Sequence, residues 1–102
     1  MSMIVIHGTV VEEEVRFSLP ELSQACGASI DLLITLVEEG VLAPVGRDAL
    51  DWHFTGTALR RARAALRLTR DLDLNVAGVA LVLDLLDEID ALESRSRRTG
   101  RP

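Results

Sequence analysis

Carboxylates dominate the residues of this chain that could do chemistry. Asp84, Asp87 and Glu88 fall at i, i+3 and i+4 in an apolar stretch, which puts all three on one face of a helix. Glu12, Glu13 and Glu14 form a second acidic run, and Glu38-Glu39 a third. Such groups, without a metal-ligand partner at a fixed spacing, attract a basic surface and steer its encounter; they do not themselves make a reaction centre. The histidines, His7 and His53, stand far apart, and neither has the spacing of a metal site such as H-E-x-x-H. Gly40, Gly46 and Gly56 are isolated and build no phosphate loop, so neither a cofactor nor a metal is expected. The lone cysteine, Cys26, cannot form an internal disulfide, and with no neighbouring base or cation in sequence it reads as a buried structural thiol. Binding, not catalysis, is the chemistry these residues support.

The charge distribution narrows the partner. The 102 residues carry a net charge of -5, with arginine supplying all eleven positive charges. Four of them, Arg95, Arg97, Arg98 and Arg101, crowd the C-terminal end, leaving the body with seven arginines against sixteen carboxylates. An acidic body opposes phosphate binding and favours a basic protein partner. The chain contains no run of uncharged apolar residues long enough for a membrane span, and its first residues lack the basic start and apolar core of a signal peptide. A cytoplasmic protein is expected.

The elements that must position these groups follow from local signals. Hydrophobic residues make up 48% of the chain but aromatics only 3%, which requires an aliphatic core and suits packed helices. Ile4-Val5-Ile6 and Val10-Val11, with a turn at Gly8, read as one or two edge strands ending in the Glu12–Glu14 run, whose charge also discourages edge-to-edge pairing. Ser18 and Glu21 form a capping box that opens a short helix from Leu19 to about Cys26, and Gly27 stops it. Ser29 caps a second helix with Ile30, Leu33, Ile34 and Val37 as its apolar stripe, ended by Gly40. Two short strands around Gly46-Arg47-Asp48 then read as a hairpin wing. Thr55 or Thr57 caps a third helix reaching Leu72, with Leu59, Ala62, Leu66 and Thr69 on one side and Arg60, Arg61, Arg63, Arg67 and Arg70 on the other.

Asn75 caps a last helix, Val76 to roughly Glu93, that is apolar around most of its girth and is therefore either central or the seam of a homodimer. Residues 1–93 are expected to form a single domain, and 94–102 a basic, frayed or disordered tail.

The order of strand, short helix, turn, helix, wing and long helices, with Gly27 and the exit Gly40-Val41-Leu42-Ala43-Pro44, resembles the DNA-binding domain of MerR-type regulators. The fold class implied is mainly α with a small β-wing: a MerR-like winged helix-turn-helix with additional C-terminal helices. In that fold the second helix enters the major groove. Here the stretch Ser29–Glu39 carries no arginine or lysine and three carboxylates, and only Arg47 on the wing is placed to meet a phosphate, so DNA binding is disfavoured.

A closer resemblance runs from Val15-Arg16-Phe17-Ser18-Leu19 to about Leu92 and is to the chaperone modulator CbpM family. It is carried by Trp52-His53-Phe54, Arg61-Ala62-Arg63, Leu66-Arg67-Leu68 and, above all, the stretch from Gly78 to Ile89 that contains Asp87-Glu88. Where that family commonly has Trp-Pro-Gly, this chain has Val76-Ala77-Gly78. The resemblance implies a non-enzymatic regulator that binds the J-domain of a CbpA-like co-chaperone and blocks its access to the Hsp70 partner. J-domains present a basic helix, which makes Asp84, Asp87 and Glu88 the leading partner-binding candidates and Glu12, Glu13 and Glu14 the next. A MerR-like transcriptional regulator is the alternative.

Overall fold

Four helices and two small antiparallel sheets make up the computed structural model, which describes residues 3–6, 9–12 and 15–98. The first sheet is the hairpin of β1 (Met3–Ile6) and β2 (Thr9–Glu12), in register Ile6 with Thr9 and Met3 with Glu12. The second pairs β3 (Phe17–Ser18) with β4 (His53–Phe54), which ties the entrance of the first helix to the far side of the wing.

The helix-turn-helix is built by the caps that the sequence announces. Helix α1 (Leu19–Cys26) starts where the Glu21 backbone N–H donates to Ser18 Oγ at 3.2 Å and the Ser18 N–H donates to Glu21 Oε1 at 2.8 Å. It ends at Gly27, whose φ of 68° lies in the left-handed region that reverses the chain cheaply only at glycine. Ser29 caps α2 (Ile30–Glu38) by accepting from the Leu32 N–H at 3.1 Å. The buried face of α2 centres on Leu33 and Leu36, while Ile30 lies 40% exposed at the rim, so the stripe is rotated from the one its spacing suggests.

The wing is smaller than a two-stranded hairpin. Val45 and His53 exchange two backbone hydrogen bonds, at 2.9 and 2.8 Å, and this single bridge closes the loop between them. At its base Gly46 has a φ of 129°, and a Cβ there would lie 2.6 Å from the Asp51 carbonyl oxygen. Phe54 is fully buried and meets Trp52 edge to face, with ring centroids 6.2 Å apart.

Thr55 caps α3 (Gly56–Leu72), which presents Ala58, Leu59, Ala62 and Ala65 to Leu22, Leu33, Leu42 and Phe54 in one core. Three alanines in that face let the helix-turn-helix approach the α3 backbone closely. Thr69, expected on this stripe, is instead exposed. Asp73 adopts a left-handed conformation to turn the chain, and Asn75 Oδ1 accepts from the Gly78 N–H at 2.8 Å to start α4 (Val76–Arg98). Only the first two turns of α4 join the core, through Val79 and Leu83. A central helix is thereby excluded: from Asp84 to Arg97 every residue is exposed.

The helix also continues past Glu93, correcting the fraying expected from residue 94 as far as Arg98. Arg97 lies 3.9 Å from Glu93 and donates to Ser94 Oγ at 3.3 Å, and cations in the last turns suit the helix dipole.

Candidate functional site

Helix α4 carries the leading acidic group just past its last core residue, Leu83, where it still runs alongside α3. Asp84, Asp87 and Glu88 are all exposed. Asp87 is committed in part, since its Oδ2 accepts from Arg61 Nη1 at 2.9 Å, and the same guanidinium donates through Nε to the Val41 carbonyl at 2.8 Å. Arg61 therefore clamps the middle of α4 to the exit of the helix-turn-helix, where Val41 is only 2% exposed. Asp84 and Glu88 form no ion pair among the described residues, which leaves both carboxylates available to a basic partner.

Of the second acidic group only Glu12 is among the described residues. Glu12 ends β2 opposite Met3, while Glu13 and Glu14 lie outside the described residues. The exposed Glu38 and Glu39 mark the C-terminal end of α2, and Asp31 its first turn. The surface on which a winged helix would read DNA is thus acidic, with the exposed Arg47 of the wing as its cation.

The arginines of α3 divide by their rotation around the helix. Arg61 and Arg63 turn inward, Arg63 Nη2 donating to the Ala25 carbonyl at 3.0 Å, and so tie α3 to the helix-turn-helix. Arg67 and Arg70 stay exposed and, with Arg63, Leu66 and Cys26, line a shallow depression of about 360 Å³. Arg70 is paired with the neighbouring Asp71 at 3.1 Å. Cys26 is half-buried beneath this surface, its thiol donating to the Leu22 carbonyl at 3.0 Å, and burial pushes its pKa up against the smaller opposing influences of a backbone hydrogen bond and Arg63. A protonated, packed thiol is not a nucleophile. His53 is exposed on β4 opposite the buried Phe54, and His7 lies outside the described residues. No group of His, Cys, Asp and Glu able to hold a metal occurs among the described residues, and none of their helices is long and apolar enough to cross a membrane.

Two apolar surfaces stand out, of which the first escaped the sequence reading and the second lies on the helix expected to be central or a dimer seam. Ile30, Ile34, Leu50, Trp52 and Pro20 line a groove of about 380 Å³ between the helix-turn-helix and the wing, and Leu50 projects fully into solvent at its lip. Ile30 and Ile34 had the spacing of core residues, so periodicity could not separate groove from core; an isolated Leu50 in a polar loop was the available signal. The other surface is a stripe along α4 in which Leu81, Leu85, Leu86, Ile89 and Leu92 are each between 47% and 61% exposed.

The helix-turn-helix, minimal wing and trailing helices define a MerR-type winged-helix protein, and the family model for the MerR HTH family regulatory protein matches residues 17–101. More closely, the chain is 37% identical over 101 residues to the chaperone modulatory protein CbpM of Coxiella burnetii (strain Dugway 5J108-111), a match spanning 99% of this chain and 95% of that protein. The chaperone modulatory protein CbpM of Pseudomonas putida (strain GB-1) is 36% identical over 91 residues, spanning 85% of this chain and 90% of its own length. This chain belongs to the CbpM family. Its relatives carry the name of a chaperone regulator, not of an enzyme.

Proposed function

We propose that this protein is a cytoplasmic, non-enzymatic regulator that binds the J-domain of a CbpA-like co-chaperone and keeps it from its Hsp70 partner. The observation that carries the reading is the display of Asp84 and Glu88, unpaired and exposed, on a helix anchored to the core at one end only. A J-domain offers Hsp70 a basic helix, and a competitor for that helix needs a complementary acidic strip on a rigid support. Asp87 belongs to the same strip and does double duty, holding Arg61 while its carboxylate remains 60% exposed. Glu12, Glu13 and Glu14 are a second contact region in this proposal. Residues 1–93 act as one modulator domain.

The acidic strip also predicts how binding responds to solution conditions. Rim charges act chiefly on the association rate and are screened by salt, so affinity should fall steadily as ionic strength rises.

Calorimetric titration of the protein with a purified J-domain from its own organism tests the reading. Saturable, salt-sensitive binding is expected, weakened on the order of tenfold or more by charge reversal at Asp84, Asp87 and Glu88 together, since each exposed charge pair contributes up to about 1 kcal/mol. Undiminished affinity in that triple variant would sink the assignment of the strip.

The match to a MerR-type regulator favours one second reading, DNA binding by α2 and the wing. Against it stand Asp31, Glu38 and Glu39 on the reading helix, which repel phosphates. A shift of short duplex DNA at low salt, lost on Arg47→Ala, would favour that reading over the modulator.

A further inference from the structure

Helix α3 gathers positive charge in an otherwise acidic molecule. Its 17 residues hold five arginines against one carboxylate, Asp71, and like charges one turn apart repel. Two of the arginines are engaged, Arg61 with Val41 and Asp87, and Arg70 with Asp71. Arg63 uses an Nη2 bond to the Ala25 carbonyl, which holds the guanidinium in place and occupies only one donor of its fork. Arg67 makes no side-chain hydrogen bond or ion pair among the described residues. Arg63, Arg67 and Arg70 stand at i, i+4 and i+7, on one face of α3, around the depression of about 360 Å³.

An apolar cleft adjoins this basic face. Ala64, Leu68 and Leu72 of α3 and Leu83 and Leu86 of α4 line a space of about 390 Å³, and Leu72 is 60% exposed at its edge. Arg67 lines both the depression and the cleft, so a ligand seated on that guanidinium reaches both. Guanidinium groups accept phosphates as readily as carboxylates, and two features of the surroundings decide between them. Neither surface contains an aromatic ring on which a nucleobase could stack. The sixteen carboxylates of the chain also repel a long polyanion, whereas a short segment with a few carboxylates and apolar anchors meets neither obstacle. Spacing agrees with such a segment: side chains four apart on a helix are separated by about 6 Å of rise, close to the roughly 6.6 Å between alternate side chains of an extended peptide.

We infer that the arginine face of α3 and the cleft beside it form one docking site for an extended peptide segment in which acidic and bulky aliphatic residues alternate. Alternation sends the carboxylates to one side, against Arg63, Arg67 and Arg70, and the aliphatic side chains to the other, into the cleft between α3 and α4. The ligand is opposite in charge to the basic surface proposed for Asp84, Asp87 and Glu88, so the two sites take different partners.

Fluorescence anisotropy of a labelled synthetic peptide, Gly-Ser-Glu-Leu-Glu-Leu-Glu-Leu-Gly-Ser, titrated with the full chain tests the inference. Saturable binding in the micromolar range is expected. Arg67→Gln/Arg70→Gln, at two exposed positions, should weaken it at least about tenfold through the loss of charge-assisted bonds, with a thermal melt like that of wild type. Leu72→Gln, and separately a peptide with serine in place of leucine, should each weaken it about three- to tenfold. Arg95→Gln/Arg97→Gln should leave it unchanged, which separates this site from general attraction to positive charge. Absence of saturation up to about 1 mM protein overturns the inference, as does full affinity in Arg67→Gln/Arg70→Gln or for the serine peptide. A single-stranded RNA of about ten nucleotides that binds more tightly than the peptide, and is lost in the same variant, overturns it in favour of nucleic acid. A peptide that binds only by dissociating a dimer, as read by sedimentation, overturns it in favour of a second copy of the chain. J-domain affinity should be unchanged in Arg67→Gln/Arg70→Gln, so failure of this site and failure of the modulator reading are distinguishable; a fall there would overturn the separation of the two sites.

Discussion

Replacing Arg61 with methionine separates the two bonds that anchor α4. Methionine keeps most of the aliphatic stem, so the packing of a side chain that is only 23% exposed is largely retained, while both guanidinium bonds are lost. The Val41 carbonyl, on a residue 2% exposed, then loses the charged donor 2.8 Å away, which costs about 1–3 kcal/mol for a buried acceptor left without its partner. The bond to Asp87 is half in solvent and contributes about 0.2–1 kcal/mol. Together these give about 1–4 kcal/mol, a fall in midpoint of roughly 5–30 °C for a domain of this size. Asp87→Asn removes only the second contribution, so its melting temperature should fall by about 1–8 °C. Thermal melts followed by far-ultraviolet circular dichroism measure both variants. If Arg61→Met costs no more than Asp87→Asn, the Val41 bond is not the anchor, and α4 is held by Val79 and Leu83 alone.

Three further outcomes follow from particular residues. Gly46→Ala forces a side chain into positive φ and against the Asp51 carbonyl, so the wing should open at a cost of about 1–3 kcal/mol, with altered Trp52 fluorescence; an unchanged melt and spectrum would contradict the account of the turn. The Cys26 thiol, raised in pKa by burial, should be alkylated at least about tenfold more slowly in the native protein than in urea. Because the folded state holds the Cys26 proton more tightly, its contribution to stability is present below the unfolded thiol pKa and is lost as pH rises through the folded value; equal native and denatured alkylation rates would refute the burial. Glu21 runs the other way: the Ser18 backbone N–H, then its hydroxyl, lowers the carboxyl pKa, so its stabilising effect is present above the unfolded value and is lost as pH falls through the folded one. Urea melts across the acid range should show less pH dependence for Glu21→Gln than for wild type, and identical curves would remove the capping box from the acid response.

The amino-acid sequence determined where the helices start and where α1 ends, because caps are local chemistry, whereas the end of α4 ran past its expected place to Arg98. Ser18 with Glu21, Ser29, Thr55 and Asn75 each satisfy backbone N–H groups within three residues, and Gly27 reverses the chain by itself, so no distant contact is needed to read them. The acidity of α2 and of Asp84, Asp87 and Glu88 was equally legible, since charge is a property of residue type. The role of each side chain was decided elsewhere. Arg60 and Arg61 are neighbours of one type, yet only Arg61 reaches Val41 and Asp87, a difference of rotation about α3 that exists only once α3 is packed. Ile30 and Leu33 share one apolar stripe, yet one rims a groove and the other is core, because α2 is rotated so that only Leu33 joins the core cluster with Leu22 and Leu59. Helix α4 offered an apolar surface nearly all round, and only the side on which α3 packs settled that Val79 and Leu83 are buried while Leu85, Ile89 and Leu92 face outward. Hydrophobicity fixes what must be covered, and tertiary structure decides what is left to cover it.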